Sequence, residues 1–538
     1  MTKPFATVLE SSTSLDNKTG SWRTLRPKYI NRLPPCNATC PAGENIQLWL
    51  SLAKEGKFRE AWEVITKDNP FPAMMGRACY HTCEKACNRG QFDGAVNINL
   101  IERSIGDVAI ANGWKFEKPE SDSGKKILVV GAGPSGLAAA YFLKRFGHDV
   151  TVYEAYAKAG GMARYGVPRF RLPSSIIDAE IKRIEDLGVK IVCNKQIADL
   201  KTEVANFDAI YISTGAHIAA KANVEVKDGA EVIDAVDLFR KLEETPASLP
   251  NLGKRVLVYG GGNTAVDAAR SALRLGAENV KIVYRGAIHN MSAHETEVSE
   301  ALAEGIEILC LRAINSVEKG KAFVDIMNYD EESSVLSKSG EIEILQADGV
   351  IFAIGQVSDV DFLKDVEGIK ISEKNEIEVC KNMMTGACGI FAGGDAVLGK
   401  RSITNAIGQG KKAAKNIDAY LRDAGLPAKV REETAIFKKL NVAYYEKDPR
   451  TEVARYDGAS LMENNVSYSE KTLVAEASRC FSCGNCFRCD NCYGYCPDNA
   501  IIKRWDGSLE INYDYCKGCG ICSAECPCGA IKMFPEES

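Results

Sequence analysis

The sequence has no excess of positive charge, no long apolar run and no apolar core near its first residue. Its 67 lysines and arginines are outnumbered by 72 aspartates and glutamates, which gives a formal net charge of -5. Without a basic footprint, nucleic-acid binding is disfavoured. No apolar run reaches the about 18 residues of a membrane span, and residues 1–20 are polar and lack a signal core. These absences predict a soluble cytoplasmic protein with no membrane association.

What the sequence does contain is cysteine, and it lies mostly at the two ends. A chain of 538 residues is long enough for several domains. Of its 20 cysteines, five lie between Cys36 and Cys87, and eleven lie between Cys480 and Cys528. In a long chain without a secretion signal, such clustering favours metal sites over disulfides.

Residues 126–136 form a glycine-rich segment that is typical of a dinucleotide-binding turn. An apolar strand runs into three glycines. The first permits a tight turn, the second lets a pyrophosphate approach the backbone, and the third allows close helix packing. A second strand ends at Glu154, where an acid that binds the ribose is expected. A glycine-rich loop at residues 160–168 is expected to cover the pyrophosphate from the other side. The candidates on the two loops are Gly131, Gly133, Pro134, Ser135, Gly136, Gly161, Met162 and Arg164.

The same strand, turn and helix pattern recurs at residues 254–270, which predicts a second nucleotide-binding domain. The second domain is predicted to be inserted in the first. The segment with Gly394 and Asp395 and the helix after Thr404 follow the second domain, and we assign them to the first. Gly394, Asp395 and Thr404 are cofactor-binding candidates. Asp395 can hold a ribityl or ribose hydroxyl, with a helix-capping aspartate as the alternative. Thr214, Gly215 and Gln356 are candidates for lining the ring of a bound dinucleotide, a flavin or a nicotinamide, and are equally interpretable as turn residues.

The strongest motif is a pair of cysteine runs near the C-terminal end. Their spacing is that of a two-cluster ferredoxin, in which the fourth cysteine of each run serves the other cluster. One cluster is therefore expected on Cys486, Cys489, Cys492 and Cys526, and the other on Cys516, Cys519, Cys522 and Cys496. The surplus Cys480, Cys483 and Cys528 are interpreted as packed thiols.

Near the other end, Cys36 and Cys40 are followed by Cys79, Cys83 and Cys87. The spacing of three residues between the later cysteines places them on one helix face or around one tight turn, which suits a shared cluster. Zinc is the structural alternative.

On these motifs, residues 36–425 resemble the small subunit of bacterial glutamate synthase and the flavin half of dihydropyrimidine dehydrogenase. The most specific segments are residues 131–136, 160–168, 260–267 and 389–395. The resemblance implies an α/β fold with two Rossmann-like nucleotide-binding domains, the second inserted in the first. A helical N-terminal iron-sulfur domain precedes them, and a ferredoxin-like α+β domain follows. It also implies FAD on Gly131, Gly133, Gly136, Glu154 and Asp395, and NADH or NADPH on Gly260, Gly262, Asn263 and Thr264.

The predicted boundaries follow from these motifs. They are an arm and helical iron-sulfur domain at 1–120, the FAD domain at 121–250 and 381–425, the NAD(P) domain at 251–380, a linker at 426–479 and the ferredoxin domain at 480–538.

The N-terminal cysteines depart from the family pattern. Members of the family have two further cysteines upstream of the pair that Cys36 and Cys40 match, whereas residues 1–35 of this chain contain no cysteine. The resemblance then implies one N-terminal 4Fe-4S cluster, on Cys40, Cys79, Cys83 and Glu102. Cys36 and Cys87 are rivals for the fourth position, and a solvated helix acid is the alternative role for Glu102.

A flavin between a nicotinamide and iron-sulfur clusters converts a two-electron donor into one-electron steps. We therefore expect hydride transfer from NAD(P)H to FAD, followed by electron transfer through three 4Fe-4S clusters to a partner protein. No side chain need act as nucleophile, and dithiol chemistry is not expected. Arg285 is the candidate for a 2'-phosphate, with stacking on adenine or a position in solvent as the alternatives. The acids at 289–298 favour NADH slightly.

The terminal partner is expected to be another polypeptide. The C-terminal domain resembles that of the iron-sulfur flavoprotein that accompanies dissimilatory sulfite reductase, and that of the nicotinamide-linked subunit of some 2-oxoacid:acceptor oxidoreductases. A stand-alone ferredoxin:NAD(P) reductase and a non-catalytic electron-relay subunit are the alternatives.

Overall fold

The architecture comes from a computed structural model, which describes residues 18–249, 251–333, 335–425, 432–452, 463 and 466–536. Two parallel sheets form the centre of the chain, a helical domain precedes them and a small cysteine-rich domain follows. No described helix is both long enough and apolar enough to cross a membrane.

The helical domain is built around two fully buried tryptophans, Trp49 and Trp62. Its helices are α1 (Pro35–Thr39), α2 (Ile46–Lys54), α3 (Phe58–Thr66), α4 (Pro72–Ala78), α5 (Thr82–Lys85) and α6 (Ile98–Ala111). A helix from the far end of the chain, Glu470–Ser478, contributes Leu473 and Ala477 to the same core. The end of the predicted linker is thus part of this domain.

The first sheet is parallel and has the order β17-β5-β2-β3-β4. Its central strand is apolar and buried, as is usual where helices cover both faces of a parallel sheet. The strands are β2 (Lys126–Val130), β3 (Asp149–Tyr153), β4 (Lys190–Val192), β5 (Ala209–Ile212) and β17 (Ile390–Ala392). The helices are α7 (Pro134–Arg145), α8 (Met162–Tyr165), α9 (Ser174–Asp186), α10 (Lys201–Val204) and α14 (Ile403–Leu421).

The second sheet is also parallel and has the order β11-β10-β9-β15-β8. Its strands are β8 (Val232–Asp234), β9 (Arg255–Tyr259), β10 (Asn279–Tyr284), β11 (Glu307–Cys310) and β15 (Gly349–Phe352), and its helices are α11 (Ala235–Glu244), α12 (Asn263–Arg274) and α13 (Glu295–Ala303). Because β17 joins the first sheet only after this domain, the predicted insertion is confirmed.

Smaller sheets complete the central region. The long antiparallel strands β12 (Arg312–Glu318), β13 (Lys321–Asp330) and β14 (Val335–Gln346) form a sheet with the short β7 (Glu225–Val226). The pair β6 (Ile218–Ala219) and β16 (Gln356–Val357) lies where the chain passes between the two nucleotide-binding domains.

The C-terminal domain contains β18 (Ile501–Lys503), β19 (Leu509–Ile511), β20 (Ile531–Pro535), α16 (Asn491–Gly494) and α17 (Ile521–Ala524). The helix Glu470–Ser478 of the helical domain is α15. The N-terminal strand β1 (Leu25–Tyr29) pairs antiparallel with β20. Arg23 reinforces the pair through an ion pair with Glu536 and hydrogen bonds to the carbonyl oxygens of Tyr513 and Cys516. The first described residues are therefore part of the ferredoxin-like domain.

Candidate cofactor and iron-sulfur sites

A deep cleft opens where β2 turns into α7. Gly131 has a φ of +98°, and a Cβ there would lie 2.6 Å from the carbonyl oxygen of Ser213, so the turn requires glycine. Gly136 sets the helix close to the strand, since a Cβ on it would lie 2.0 Å from the oxygen of Gly131. The turn thus leaves the first backbone amides of α7 facing the cleft, which is the arrangement that receives a pyrophosphate.

The cleft measures about 1050 Å³, including its open side, and most of the predicted flavin residues line it. These are Gly131, Gly133, Pro134, Ser135, Glu154, Gly161, Met162, Thr214, Gly215, Gly394 and Asp395. Sequence reasoning missed other lining residues, among them Tyr156, Lys195, His217, Phe362 and Ser402. Phe362 lies in a short 3-10 helix and the others lie on loops, all without a motif, so no pattern distinguished them.

Three polar side chains in this cleft suit a ligand rich in hydroxyl groups. The Thr214 hydroxyl is buried and has no hydrogen-bond partner within the described chain. Glu154 accepts hydrogen bonds from the backbone amides of Ala132 at 2.7 Å and Tyr156 at 2.9 Å, and burial raises the pKa of its carboxyl. Burial also raises the pKa of Asp395 to about 6, against the opposing effect of Arg401. An unsatisfied buried hydroxyl and two acids that line the cleft fit FAD.

The remaining predicted residues of this region have other contacts. Arg164 is buried in ion pairs with Asp178 and Glu243, and it does not line the cleft. Thr404 points away from the cleft, and its hydroxyl donates to the Cys79 sulfur at 3.3 Å. No cysteine lines the described part of the cleft.

The second glycine turn joins β9 to α12. A Cβ on Gly260 would lie 2.3 Å from the carbonyl oxygen of Ala353, so a side chain would collide with the neighbouring strand. Gly262 and Thr264 flank the start of α12 and are half-buried. Arg285 is exposed at the end of β10, and Gln356 lies on β16, where its carbonyl accepts from Arg401 at 2.7 Å.

The helical domain reaches this second turn. The Asn263 amide donates to the Tyr80 hydroxyl at 2.9 Å, and its carbonyl oxygen accepts from the His294 backbone at 2.8 Å. The Tyr80 and His294 rings stack with centroids 5.9 Å apart. The Asn263 side chain, which was predicted to bind the nicotinamide cofactor, is therefore hydrogen-bonded to protein groups in this structure.

Among the N-terminal cysteines, Cys40, Cys79 and Cys83 are electrostatic neighbours. Glu102 is close to Cys40 and Cys79, and it is buried and accepts a hydrogen bond from Asn69 at 2.8 Å. Burial raises its pKa. The four side chains of the predicted set thus lie near one another, while the rival ligands Cys36 and Cys87 line a pocket that none of the four lines. The ligand set itself stays a prediction.

The ferredoxin cysteines gather in the two predicted sets. Cys496, Cys516, Cys519 and Cys522 line one pocket of about 330 Å³. Cys489 and Cys492 each have Cys486 and Cys526 as electrostatic neighbours. Backbone amides already point at the sulfurs, since Ala500 donates to Cys496 at 3.2 Å and Ala530 donates to Cys526 at 3.3 Å. Such amides stabilise the negative charge of cluster sulfurs.

Helix α14 connects the cleft at the β2 turn with the N-terminal cysteines. At its start, Ser402, Ile403 and Ala406 line the cleft, whereas Thr404 touches the Cys79 sulfur. One helical turn thus separates the cleft from a predicted cluster ligand.

Three segments of the sequence match known families. Residues 125–410 match Pyridine nucleotide-disulphide oxidoreductase, and residues 10–114 match Dihydropyrimidine dehydrogenase domain II, 4Fe-4S cluster. Residues 509–532 match 4Fe-4S binding domain. The matches follow the order of domains described above.

Several characterised proteins are similar over most of their length. The beta subunit of the NADP(+)-dependent formate dehydrogenase of Moorella thermoacetica is 34% identical over 84% of this chain and 70% of its own. The beta subunit of the NADPH-Fe(3+) oxidoreductase of Geobacter sulfurreducens is 30% identical over 84% and 75%. The small chain of the NADPH glutamate synthase of Azospirillum brasilense is 32% identical over 72% and 87%. The predicted resemblance to the glutamate synthase small subunit is confirmed.

Proposed function

Because the chain belongs to the pyridine nucleotide-disulphide oxidoreductase family and has iron-sulfur domains at both ends, we propose that it connects NAD(P)H with a separate catalytic subunit. It is an NAD(P)H-linked iron-sulfur flavoprotein and an oxidoreductase.

The observation that carries this proposal is the position of α14. Its first turn lines the flavin cleft on one side and contacts the Cys79 sulfur on the other. Such closeness has no use in an enzyme that exchanges electrons only between NAD(P)H and a small substrate at the flavin. It is what transfer from a flavin to an iron-sulfur cluster requires.

In this proposal the start of α7 binds the FAD pyrophosphate, and Glu154 binds the adenosine ribose. Asp395 accepts from a ribityl hydroxyl, and the unpaired Thr214 hydroxyl donates to the cofactor. Bound FAD would supply the exchange between a two-electron nicotinamide and one-electron clusters. Gly260, Gly262 and Thr264 border the nicotinamide nucleotide.

Three 4Fe-4S clusters are proposed, one on the Cys40, Cys79, Cys83 and Glu102 set and two on the ferredoxin sets. The thiols of Cys486, Cys489 and Cys519 are exposed, so the ferredoxin domain offers cluster ligands at the molecular surface. That surface is the proposed exit to the partner.

The relatives support a catalytic partner subunit, because two of them are beta subunits by name, of a formate dehydrogenase and of an Fe(3+) oxidoreductase. We propose a formate dehydrogenase-type partner first, and NADPH as the donor, with Arg285 exposed where a 2'-phosphate would lie. The sulfite reductase-like partner, the 2-oxoacid oxidoreductase partner and the preference for NADH stay predictions of the sequence.

The test is anaerobic titration of the full chain, purified with its cofactors, by NADPH and by NADH. We expect the flavin absorption band to bleach with NADPH and the reduced chain to reduce the partner that co-purifies with it, identified by mass spectrometry. Bleaching with neither nucleotide would favour the non-catalytic relay subunit and sink the proposal.

A variant separates the two halves of the reaction. Cys519→Ala removes an exposed ferredoxin ligand, so bleaching by NADPH should persist while partner reduction is lost. Cys388→Ala, an exposed cysteine outside every set, is the matched control. Unchanged partner reduction in Cys519→Ala would contradict an exit through the ferredoxin domain.

A further inference from the structure

Four cysteines from opposite ends of the chain line one pocket. Cys36 and Cys87 come from the helical domain, and Cys480 and Cys483 come from the segment before the ferredoxin motif. The four thiols lie near one another, since Cys36 has Cys87, Cys480 and Cys483 as electrostatic neighbours. In the sequence, Cys480 and Cys483 are surplus to the ferredoxin motif. Only the tertiary structure brings them close to Cys36 and Cys87.

Ion pairs and hydrogen bonds hold the two segments together. Arg89 donates to the carbonyl oxygen of Arg479 and pairs with Asp93 at 2.6 Å. Arg479 pairs with Asp93 at 3.3 Å and with Glu476 at 2.6 Å. All four side chains are almost completely buried, so the Cys480 segment is fixed against the helical domain and is not a loose linker.

The pocket of these four cysteines is similar in size to a pocket of the ferredoxin domain. It measures about 360 Å³, against about 330 Å³ for the pocket between Cys496, Cys516, Cys519 and Cys522. Apolar side chains form its wall, among them Leu50, Val96 and Ile98.

N–H groups point at its sulfurs, as they do in the ferredoxin sets. The Ser482 backbone donates to Cys480 at 3.4 Å, and the Asn88 side-chain amide donates to Cys483 at 3.4 Å. These contacts would stabilise thiolate ligands of a cluster.

We propose that Cys36, Cys87, Cys480 and Cys483 hold a fourth 4Fe-4S cluster. Four thiolates in an apolar pocket suit iron-sulfur clusters. Among the described residues no three metal-binding side chains converge on a single ion, whereas a cubane cluster holds its thiolates farther apart around a body of eight atoms. Two residues separate Cys480 from Cys483, which is also the spacing between the first three cysteines of each ferredoxin run.

The position of this pocket supports the assignment. Cys36 is an electrostatic neighbour of Cys83 in the first N-terminal set. On the other side, Tyr445 has Cys480, Cys483 and Cys489 as neighbours, and Cys489 belongs to the ferredoxin domain. The fourth site therefore lies between the two predicted cluster regions. Its role in electron transfer rests on the proposed function, but its existence does not.

Iron and acid-labile sulfide analysis of the anaerobically purified full chain tests the site. We expect about sixteen iron atoms per chain, against about twelve for three clusters. Cys87→Ser and Cys480→Ser should each lower the count by about four, and both should remove the same component from the EPR spectrum of the dithionite-reduced protein. Cys388→Ser is the control and should change neither reading.

A wild-type count of about twelve iron atoms, with or without one zinc, would overturn the fourth cluster. So would Cys87→Ser and Cys480→Ser proteins that keep the wild-type iron content. If either variant fails to fold, the wild-type count and its Mössbauer spectrum still decide. A wild type with about twelve iron atoms that still reduces its partner would disprove only the fourth cluster, and failed bleaching by nucleotide would leave the iron count untouched.

Discussion

At the scale of single residues, the observed contact of Thr404 differs from the predicted one. It was expected at the flavin, on the helix that follows the Gly394 and Asp395 turn. Its hydroxyl instead donates to the Cys79 sulfur at 3.3 Å. A hydrogen bond to a ligand sulfur stabilises the reduced, more negative cluster and raises its potential.

Thr404→Val removes this donor without changing the shape of the side chain. We expect the midpoint potential of the cluster proposed on Cys79 to become more negative, while the FAD content is unchanged. An EPR-monitored redox titration measures the potential. Thr404→Ser keeps the hydroxyl and should behave as the wild type, so equal shifts in both variants would argue against the hydrogen bond.

Because burial shifts the pKa of Asp395, we expect the free energy of unfolding of the FAD-free chain to depend on pH. Its pKa is raised to about 6 by burial, so the folded state binds the proton more tightly than the unfolded state. The resulting stability is present below pH about 4 and is lost as the pH rises through about 6. The loss is at most about 3 kcal/mol.

Asp395→Asn keeps the side chain neutral at every pH. Between pH 5 and pH 7 the melting temperature of FAD-free wild type should fall more than that of FAD-free Asp395→Asn. Differential scanning fluorimetry measures both. Parallel curves would show that Asp395 does not titrate in this range.

At the scale of elements, α11 of the NAD(P) domain anchors two loops of the FAD domain. Near its C-terminal end Glu243 accepts hydrogen bonds from Arg164 at 3.1 Å, Arg169 at 2.7 Å and Ser174 at 2.9 Å. Burial tends to raise the pKa of Glu243, but these donors outweigh burial and lower it. This stability is present above the unfolded pKa and is lost as the pH falls through the folded value.

Glu243→Gln should loosen the contact between the nucleotide-binding domains. We expect a loss of about 1–3 kcal/mol in stability, because buried donors lose a charged acceptor, and slower flavin reduction by NADPH in stopped-flow measurements. Reduction of the clusters by dithionite should not change. Glu244→Gln, next to it and exposed, is the control, and an equal effect of both would contradict the role of Glu243.

At the scale of the whole molecule, the two ends of the chain meet. β1 pairs with β20, and the Tyr29 hydroxyl lies 3.2 Å from the Cys492 sulfur. Deletion of residues 1–30 should therefore lower the iron content by up to about eight atoms, for the two ferredoxin clusters. Deletion of residues 1–17 leaves β1 in place and is the control. Full iron content in the longer deletion would show that the ferredoxin domain holds its clusters without β1.

The proposed exit to the partner predicts a docking residue. Trp505 is 99% exposed between β18 and β19, and exposed tryptophans are frequent binding hot spots. Trp505→Ala should raise the KM for the partner at least several-fold, with flavin bleaching by NADPH unchanged. Steady-state assays with the co-purified partner measure it. A lowered kcat with an unchanged KM would contradict docking through Trp505.

The sequence by itself determined whatever depends on local geometry. Glycine spacing specified both nucleotide turns, because a tight turn and a close helix start involve neighbouring residues. The spacing within the runs from Cys486 and Cys516 predicted the ferredoxin sets. The insertion of one domain in the other also followed, from the order of the motifs along the chain.

Tertiary structure alone decided the contacts between distant segments. It turned Thr404 to Cys79, gave Asn263 the partner Tyr80, and brought Cys483 against Asn88, 395 positions away. Such contacts depend on which faces pack together, and side-chain spacing within one segment carries no information about a face on another. For that reason Cys480 and Cys483 read as surplus thiols in the sequence and as half of a four-thiol pocket in the fold.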